Sequence, residues 1–162
     1  MKEIVLTTPG KVALVDDEDY DWLNHWKWFA NKCGPYFYAS RHTPMVNLVR
    51  GEVVRMHRAI MQPLGGMRVD HVDMNTLNNQ RSNLRICTHQ ENLRNRKSAK
   101  GSTSCFKGVC WDKSRKKWFA SIKEDVGKQL NLGRFDSELA AAQAYNQKAT
   151  ELFGDFARMN EI

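Results

Sequence analysis

Residues 70–96 have the sequence DHVDMNTLNNQRSNLRICTHQENLRNR, and this stretch decides the fold of the N-terminal half of the chain. Apolar residues on both sides of its asparagine-rich loop predict two short strands, MRVDHVD and LRICT. A polar helix is predicted directly afterwards, because Thr88 and Glu91 have the spacing of a capping box. This order of strand, loop, strand and helix contains Asp70, His71 and Asn92.

Phosphodiester hydrolysis needs a group that takes a proton from water and a hard divalent cation on the phosphate. His71 is the candidate base, and the side-chain oxygens of Asp70 and Asn92 are ligands of the kind that Mg²⁺ prefers. Adjacent strand residues point to opposite faces, so Asp70 and His71 share a cleft only at a strand end or where the chain twists into the loop. A purely structural Asp–His pair stays open, and His89 or Asn95 replaces Asn92 if the helix is shifted.

This segment resembles the HNH endonuclease motif. The matching residues are Asp70, His71, Asp73, Asn75, Leu77, Asn78, Asn79, Asn83, Leu84, Arg85 and Asn92. The resemblance implies a ββα-metal fold with one divalent cation, Mg²⁺ or Mn²⁺. It implies that His71 is the general base, that Asp70 and Asn92 are metal ligands, and that Asn83 braces the loop presenting His71; Asp73 and Asn95 are the next metal ligands in line. His57, in the similar upstream segment MHRAIM, is expected to be structural rather than a substrate-phosphate contact.

The positive charge is concentrated in the middle of the chain. Residues 1–50 carry no net charge, 51–100 carry +5 and 101–162 carry +2, within a total of +7. Two basic clusters, at 94–100 and 113–117, predict a nucleic-acid partner, although a merely solvated face stays an alternative. Arg85, Arg94 and Arg96 are expected to contact DNA phosphates rather than bases.

The C-terminal part has three strand-like segments, CFKGVCW, KWFASIK and KQLNLGRF, and then a helix predicted from Ser137 to Gly154. KWFASIK alternates cleanly, which leaves one face of the sheet free. This part resembles the APETALA2/ethylene-response DNA-binding domain. The matching residues are Gly108, Val109, Trp111, Trp118, Ala120, Ile122, Leu132, Gly133, Phe135, Ala140, Ala141, Ala144, Tyr145, Phe153, Gly154, Ala157 and Asn160.

The second resemblance implies a sheet that enters the major groove, with DNA contacts led by Lys107, Arg115, Lys117 and Lys123. The alternative is a module that only packs on the nuclease. The predicted fold class is therefore α+β: a ββα-metal HNH nuclease core with an N-terminal β-rich extension, plus a three-stranded antiparallel sheet packed on one helix. The expected domains are the nuclease at 1–96, a linker at 97–103 and the DNA-binding domain at 104–162. In the N-terminal extension, Trp22, Trp26 and Trp28 are expected in the core.

The function expected from these features is a metal-dependent, homing-type endonuclease of phage or mobile-element origin. It is expected to act on double-stranded DNA as a monomer in the cytoplasm of a bacterial host. No apolar run predicts a membrane helix or a secretion signal, and the four cysteines lack the spacing of a zinc site or a disulfide framework. The main alternative is a catalytically inactive DNA-binding regulator or architectural protein, and an RNA-binding role is less favoured.

Overall fold

The computed structural model of the chain describes residues 1–45, 51–95, 101–124 and 127–162. The chain divides into two compact units, Met1–His89 and Gln90–Ile162. Most of the expected linker lies outside the described residues, so the domain boundaries at 96 and 104 stay predictions. Within the described ranges, no helix has both the length and the apolar character needed to span a membrane.

The first unit combines three small antiparallel sheets with two helices. Its strands are β1 (Lys2–Val5), β2 (Val12–Val15), β3 (Phe29–Cys33), β4 (Tyr36–His42), β5 (Val53–Arg55), β6 (Arg68–His71) and β7 (Leu84–Cys87). Its helices are α1 (Asp17–Asn24) and α2 (Met56–Met61). The sheets are β1 with β2, β3–β4–β5 in that order, and β6 with β7. The predicted hairpin around the asparagine-rich loop is β6 and β7.

One hydrophobic core joins these sheets and helices. Its buried residues are Ile4, Leu6, Ala13, Val15, Leu23, Trp28, Ala39, Met56, Ile60, Val69 and Leu84. Because β1, β2 and α1 contribute to the same core as β6 and β7, the N-terminal extension is an integral part of the unit. Trp28 is buried as predicted, and its indole N–H donates to the Leu23 carbonyl at 2.8 Å.

The core prediction was wrong for Trp22 and Trp26, which are 40% and 42% exposed. Trp22 keeps its indole N–H at the surface, where it donates to Asp19 at 3.1 Å. Trp26 lies beyond the end of α1, and the guanidinium of Arg41 covers its ring at 4.0 Å from the centroid. An indole with a polar partner can remain partly in water, which the helical spacing of the tryptophans did not reveal.

The second unit is a three-stranded antiparallel sheet with a helix on one face. Helix α3 (His89–Arg94) begins at the boundary between the units, and β8 (Val109–Asp112), β9 (Lys117–Lys123), β10 (Gln129–Phe135) and α4 (Glu138–Phe153) follow. The strand order is β10–β9–β8. Ala120 and Ile122 on β9 are buried with Ala141, Tyr145 and Ala149 of α4. The alternation of KWFASIK therefore predicted the face that meets the helix.

Gly108 permits a close contact between the segment before β8 and helix α4. Its φ of 76° lies in the left-handed region, and a Cβ at this position would overlap the Tyr145 ring. Tyr145 is buried, which raises its pKa to about 12. Only glycine meets both requirements here.

The strands and helices of the two units confirm the mixed α+β class that the sequence predicts, while the ββα-metal core remains a prediction.

Candidate active site

Asp70 and His71 are the last two residues of β6, so they lie at a strand end, while their use of one cleft stays a prediction. The strand pairs with β7 so that Asp70 lies opposite Arg85 and His71 lies opposite Leu84. Both side chains are nonetheless buried, with 8% and 4% exposure. Burial of two polar side chains at a strand end requires specific partners for each of them.

His71 packs in a cluster of three rings with Tyr38 and His57. Its ring centroid lies 5.0 Å from that of His57 and 6.1 Å from that of Tyr38, and the Tyr38 and His57 centroids are 5.6 Å apart. Burial lowers the pKa of His71, partly offset by its hydrogen bond to Asn79. The imidazole is therefore neutral near neutral pH, which is the form that can accept a proton.

Asn79 is a hydrogen-bond partner of the His71 ring. The His71 Nε2 and the Asn79 Oδ1 are 3.5 Å apart, at the long end of hydrogen-bond distances. The amide orientation follows from the Asn79 Nδ2, which donates to the Leu77 carbonyl at 3.1 Å. An acceptor opposite Nε2 favours the tautomer protonated there and leaves Nδ1 as the basic nitrogen. Asn79 matches the motif, but sequence analysis gave it no role.

His57 is the second buried imidazole of the ring cluster, 4% exposed. Burial lowers its pKa to about 3, and the neighbouring His71, Arg55 and Arg58 act in the same direction. A neutral ring inside the unit cannot act as a cation toward a phosphate. The geometry thus supports the structural role expected for His57.

Asp70 is held by Arg85 across the hairpin. The Nε and Nη2 atoms of Arg85 lie 3.0 and 2.7 Å from the Asp70 Oδ2, and the arginine side chain is 17% exposed. The sequence predicts a DNA-phosphate contact for Arg85, whereas the structure places its guanidinium against Asp70. A direct phosphate contact by Arg85 stays a prediction that this geometry does not favour.

The loop between β6 and β7 is braced by Asn83, as the HNH resemblance implies. The Asn83 Oδ1 accepts from the Asp73 backbone N–H at 3.0 Å, and its Nδ2 donates to the Asn78 carbonyl at 2.9 Å. Asp73 is occupied within the same loop, because its carboxylate accepts from the Asn75 N–H at 2.7 Å and from the Asn78 amide at 3.0 Å. These bonds make Asp73 a loop-forming residue and a poor substitute metal ligand.

The far end of this loop is anchored to the N-terminal extension, a feature that sequence analysis missed. Asp16 accepts from the Arg81 backbone N–H at 2.8 Å and from the Gln80 amide at 3.1 Å. Asp19, which is 2% exposed, accepts from the Nε and Nη2 of Arg81 at 2.8 Å each. The backbone of Leu14 adds bonds to Leu77 and Asn79 at 2.9 and 2.8 Å. The partner of His71 is thus positioned by residues more than 60 places earlier.

Asn92, the third residue of the predicted site, lies on α3 within the second unit and is partly buried. His89 is exposed and Asn95 is 5% exposed. Among the described residues, no three His, Cys, Asp or Glu side chains are grouped as a metal site. The donor set of Asp70 and Asn92 nevertheless fits a hard divalent cation in its chemistry, because a carboxylate and an amide supply oxygen. Their joint coordination of a cation stays a prediction.

The basic residues expected to bind DNA in the second unit differ in their surroundings. The Arg94 guanidinium stacks on the Phe153 ring, 4.3 Å from the ring centroid. Arg96 lies outside the described residues. The Lys107 ammonium contacts the Arg94 carbonyl oxygen, and burial lowers its pKa to about 8. Lys123 is exposed on β9.

Two carboxylates neutralise much of the remaining charge on the sheet. Asp112 accepts from the Arg134 Nε at 2.8 Å and lies 3.5 Å from Arg115, and the Arg134 hydrogen bond is the main cause of a lowered Asp112 pKa. Lys117 pairs with Asp136 at 3.0 Å. Sequence analysis missed Arg134, whose guanidinium also lies over the Phe119 ring at 5.1 Å. The face opposite α4 is therefore less positive than its lysines and arginines indicate.

Comparison with known proteins agrees with the motif. The HNH endonuclease family model matches residues 61–94. An uncharacterized HNH endonuclease of Acanthamoeba polyphaga mimivirus is 32% identical over 160 residues, covering 94% of this chain and 76% of the relative. Protein 3.8 of Escherichia phage T7 is 39% identical over 93 residues, covering 57% of this chain and 75% of that protein. No solved structure matches the chain. By its similarity to the mimivirus protein along nearly its whole length, the chain belongs to the HNH endonuclease family.

Proposed function

We propose that this protein is a divalent-metal-dependent DNA endonuclease of the homing type, with His71 as its general base. The observation that carries the proposal is the buried, neutral imidazole of His71 beside Asp70, with Asn79 facing its Nε2. A base of this kind needs a neutral ring in a fixed orientation, and the loop around Asn79 and Asn83 provides both. The phage and virus origin of the relatives supports a mobile-element source.

In the proposed reaction, the Nδ1 of His71 takes a proton from a water molecule that attacks the scissile phosphorus. Asp70 and Asn92 would hold Mg²⁺ or Mn²⁺, which when bound stabilises negative charge on the phosphate and the departing oxygen. Arg85 keeps the Asp70 carboxylate in a fixed position, since both of its contacting nitrogens converge on Oδ2. Asn83 keeps the loop in register and does not contact the reacting atoms.

The C-terminal unit is proposed to add affinity for double-stranded DNA in the manner of an APETALA2-like domain. Its three-stranded antiparallel sheet backed by α4 supports this role. Lys123 is the strongest candidate contact, because it is exposed and has no acidic partner among the described residues. Arg115 and Lys117 would have to exchange Asp112 and Asp136 for phosphates.

The decisive experiment compares wild-type protein with His71→Ala on supercoiled plasmid, with Mg²⁺ and with EDTA. We expect wild type to cut only with the metal, and His71→Ala to lose cutting while binding duplex DNA normally in EDTA. His25→Ala, which removes an exposed histidine of the same unit, is the matched control and should cut like wild type. A wild-type protein that binds DNA but never cuts it would favour the alternative, an inactive DNA-binding regulator.

A further inference from the structure

A groove of about 510 Å³ opens on the first unit beside helix α2. It is lined by Asn31, Val53, Val54, Arg55, Arg58 and Ala59. Strand β5 supplies one wall, α2 supplies another, and Asn31 comes from β3. Arg58 and Ala59 belong to the upstream segment MHRAIM, but none of the six residues was given a role by the sequence or in the reaction proposed above.

The groove lies next to the rings around His71. Asn31 pairs with Tyr38 across β3 and β4, and Ser40 pairs with Arg55 across β4 and β5. Because side chains alternate along a strand, Asn31, Tyr38 and Arg55 share one face of this sheet. The Arg55 guanidinium lies 5.0 Å from the Tyr38 ring centroid, and that ring in turn packs against His71. Tyr38 therefore separates the groove from the candidate base.

The two arginines of the groove differ from most others in their electrostatic partners. Arg81, Arg85, Arg115, Arg134 and Arg158 each pair with a carboxylate, whereas no carboxylate partner is seen for Arg41 and Arg68 within the described ranges. Within the described ranges, neither Arg55 nor Arg58 has such a partner. Arg58 donates only to the Met67 carbonyl, at 3.1 Å, and Arg55 contacts the Tyr38 ring. Two guanidinium groups thus line one groove, and the part of the chain that the structure describes places no carboxylate on either of them.

We propose that this groove is a subsite for a backbone phosphate of the DNA strand that His71 cleaves. The proposal rests on the endonuclease function argued above. Guanidinium groups present several N–H donors in a geometry that matches phosphate oxygens, and the Asn31 amide adds a neutral donor. Val53, which is 49% exposed, offers an apolar wall for a deoxyribose. The phosphate bound in this groove belongs to the same DNA strand as the scissile phosphate. Its binding sets the register of that strand at His71.

The test measures duplex affinity against salt concentration in EDTA for the full chain, Arg55→Gln and Arg58→Gln. Each variant should bind about tenfold more weakly and lower the slope of log affinity against log salt by about one unit. Lys148→Gln is the matched charge control, because Lys148 lies on α4 and pairs with Glu151 at 2.8 Å. Thermal unfolding checks that Arg55→Gln, which loses the Tyr38 contact, is folded. Arg58→Gln changes an exposed side chain and tests the groove independently.

A second measurement locates the contact on the DNA. Single methylphosphonate substitutions remove the charge of one phosphate at a time around the cleavage site. One of them should weaken binding of wild type and have little further effect on Arg55→Gln or Arg58→Gln. If both variants keep the wild-type slope of log affinity against log salt, the subsite proposal is overturned, even if the protein cuts DNA normally. If wild type binds DNA without cutting it, the endonuclease proposal fails while the slopes still decide about the groove, and a failure of wild type to bind duplex would overturn both.

Discussion

Replacing His57 by Gln should make the first unit less sensitive to acid. His57 is 4% exposed and its pKa in the folded protein is lowered from 6.5 to about 3. The unfolded chain therefore binds a proton below pH 6.5 that the folded chain refuses, so stability is full above pH 6.5 and falls as the pH drops toward 3. The loss is about 1.36 kcal/mol per pH unit in this window, which amounts to about 2 kcal/mol at pH 5.

The assay is urea unfolding at pH 7 and pH 5, followed by tryptophan fluorescence. The free energy of unfolding of wild type should fall by about 2 kcal/mol more than that of His57→Gln between these two pH values. Because the His71 ring packs against the ring that His57→Gln removes, an NMR titration of His71 in both proteins shows whether its own pKa is unchanged. His25→Gln, at an exposed position, should follow wild type. The same pH dependence in wild type and His57→Gln, or an NMR titration of the His57 ring near pH 6.5, would refute the reasoning.

Three further predictions concern the site and the C-terminal sheet. Asn79→Ala should lower kcat for plasmid cleavage by about 10- to 100-fold with little change in KM, because His71 loses the partner that fixes its tautomer; an unchanged kcat would leave Asn79 a purely structural residue. Asp70→Asn and Asn92→Ala should each shift the Mg²⁺ titration of cleavage to higher concentration, and unchanged midpoints in both would place the cation elsewhere. Lys123→Gln should lower the salt slope of DNA binding by about one unit and Lys117→Gln by less, since Asp136 already neutralises Lys117; equal slopes in wild type and Lys123→Gln would exclude a phosphate contact there.

The sequence predicted the local features of the fold well. The alternation of KWFASIK predicted both the strand β9 and the face that packs on α4. The hairpin β6–β7 followed from the apolar residues on both sides of the asparagine-rich loop, and the HNH resemblance implied the bracing role of Asn83, with which its hydrogen bonds agree. These features depend on neighbouring residues, on which strand periodicity and turn composition report directly.

The sequence pattern did not predict side-chain partners that come from distant parts of the chain. Arg81 and Asp19 are far apart in sequence, and nothing in their local context indicates that they pair. Arg85 carries the positive charge expected of a DNA contact, yet its position opposite Asp70 is visible only once the strands are in register. The same reason applies to Arg55 and Arg58: only the fold shows that, among the described residues, no carboxylate pairs with either of them.

The attachment of the asparagine-rich loop to Leu14, Asp16 and Asp19 affects how this motif can be inherited. The segment 61–94 that defines the family does not contain the acceptors for Gln80 and Arg81. If it were moved alone into another gene, Gln80 and Arg81 would lose their acceptors, and the backbone N–H of buried Asn79 would lose the Leu14 carbonyl at a cost of about 1–3 kcal/mol. The smallest unit that recombination can exchange without this loss also includes residues 12–19. The motif can be moved without this loss only together with strand β2 and the start of helix α1.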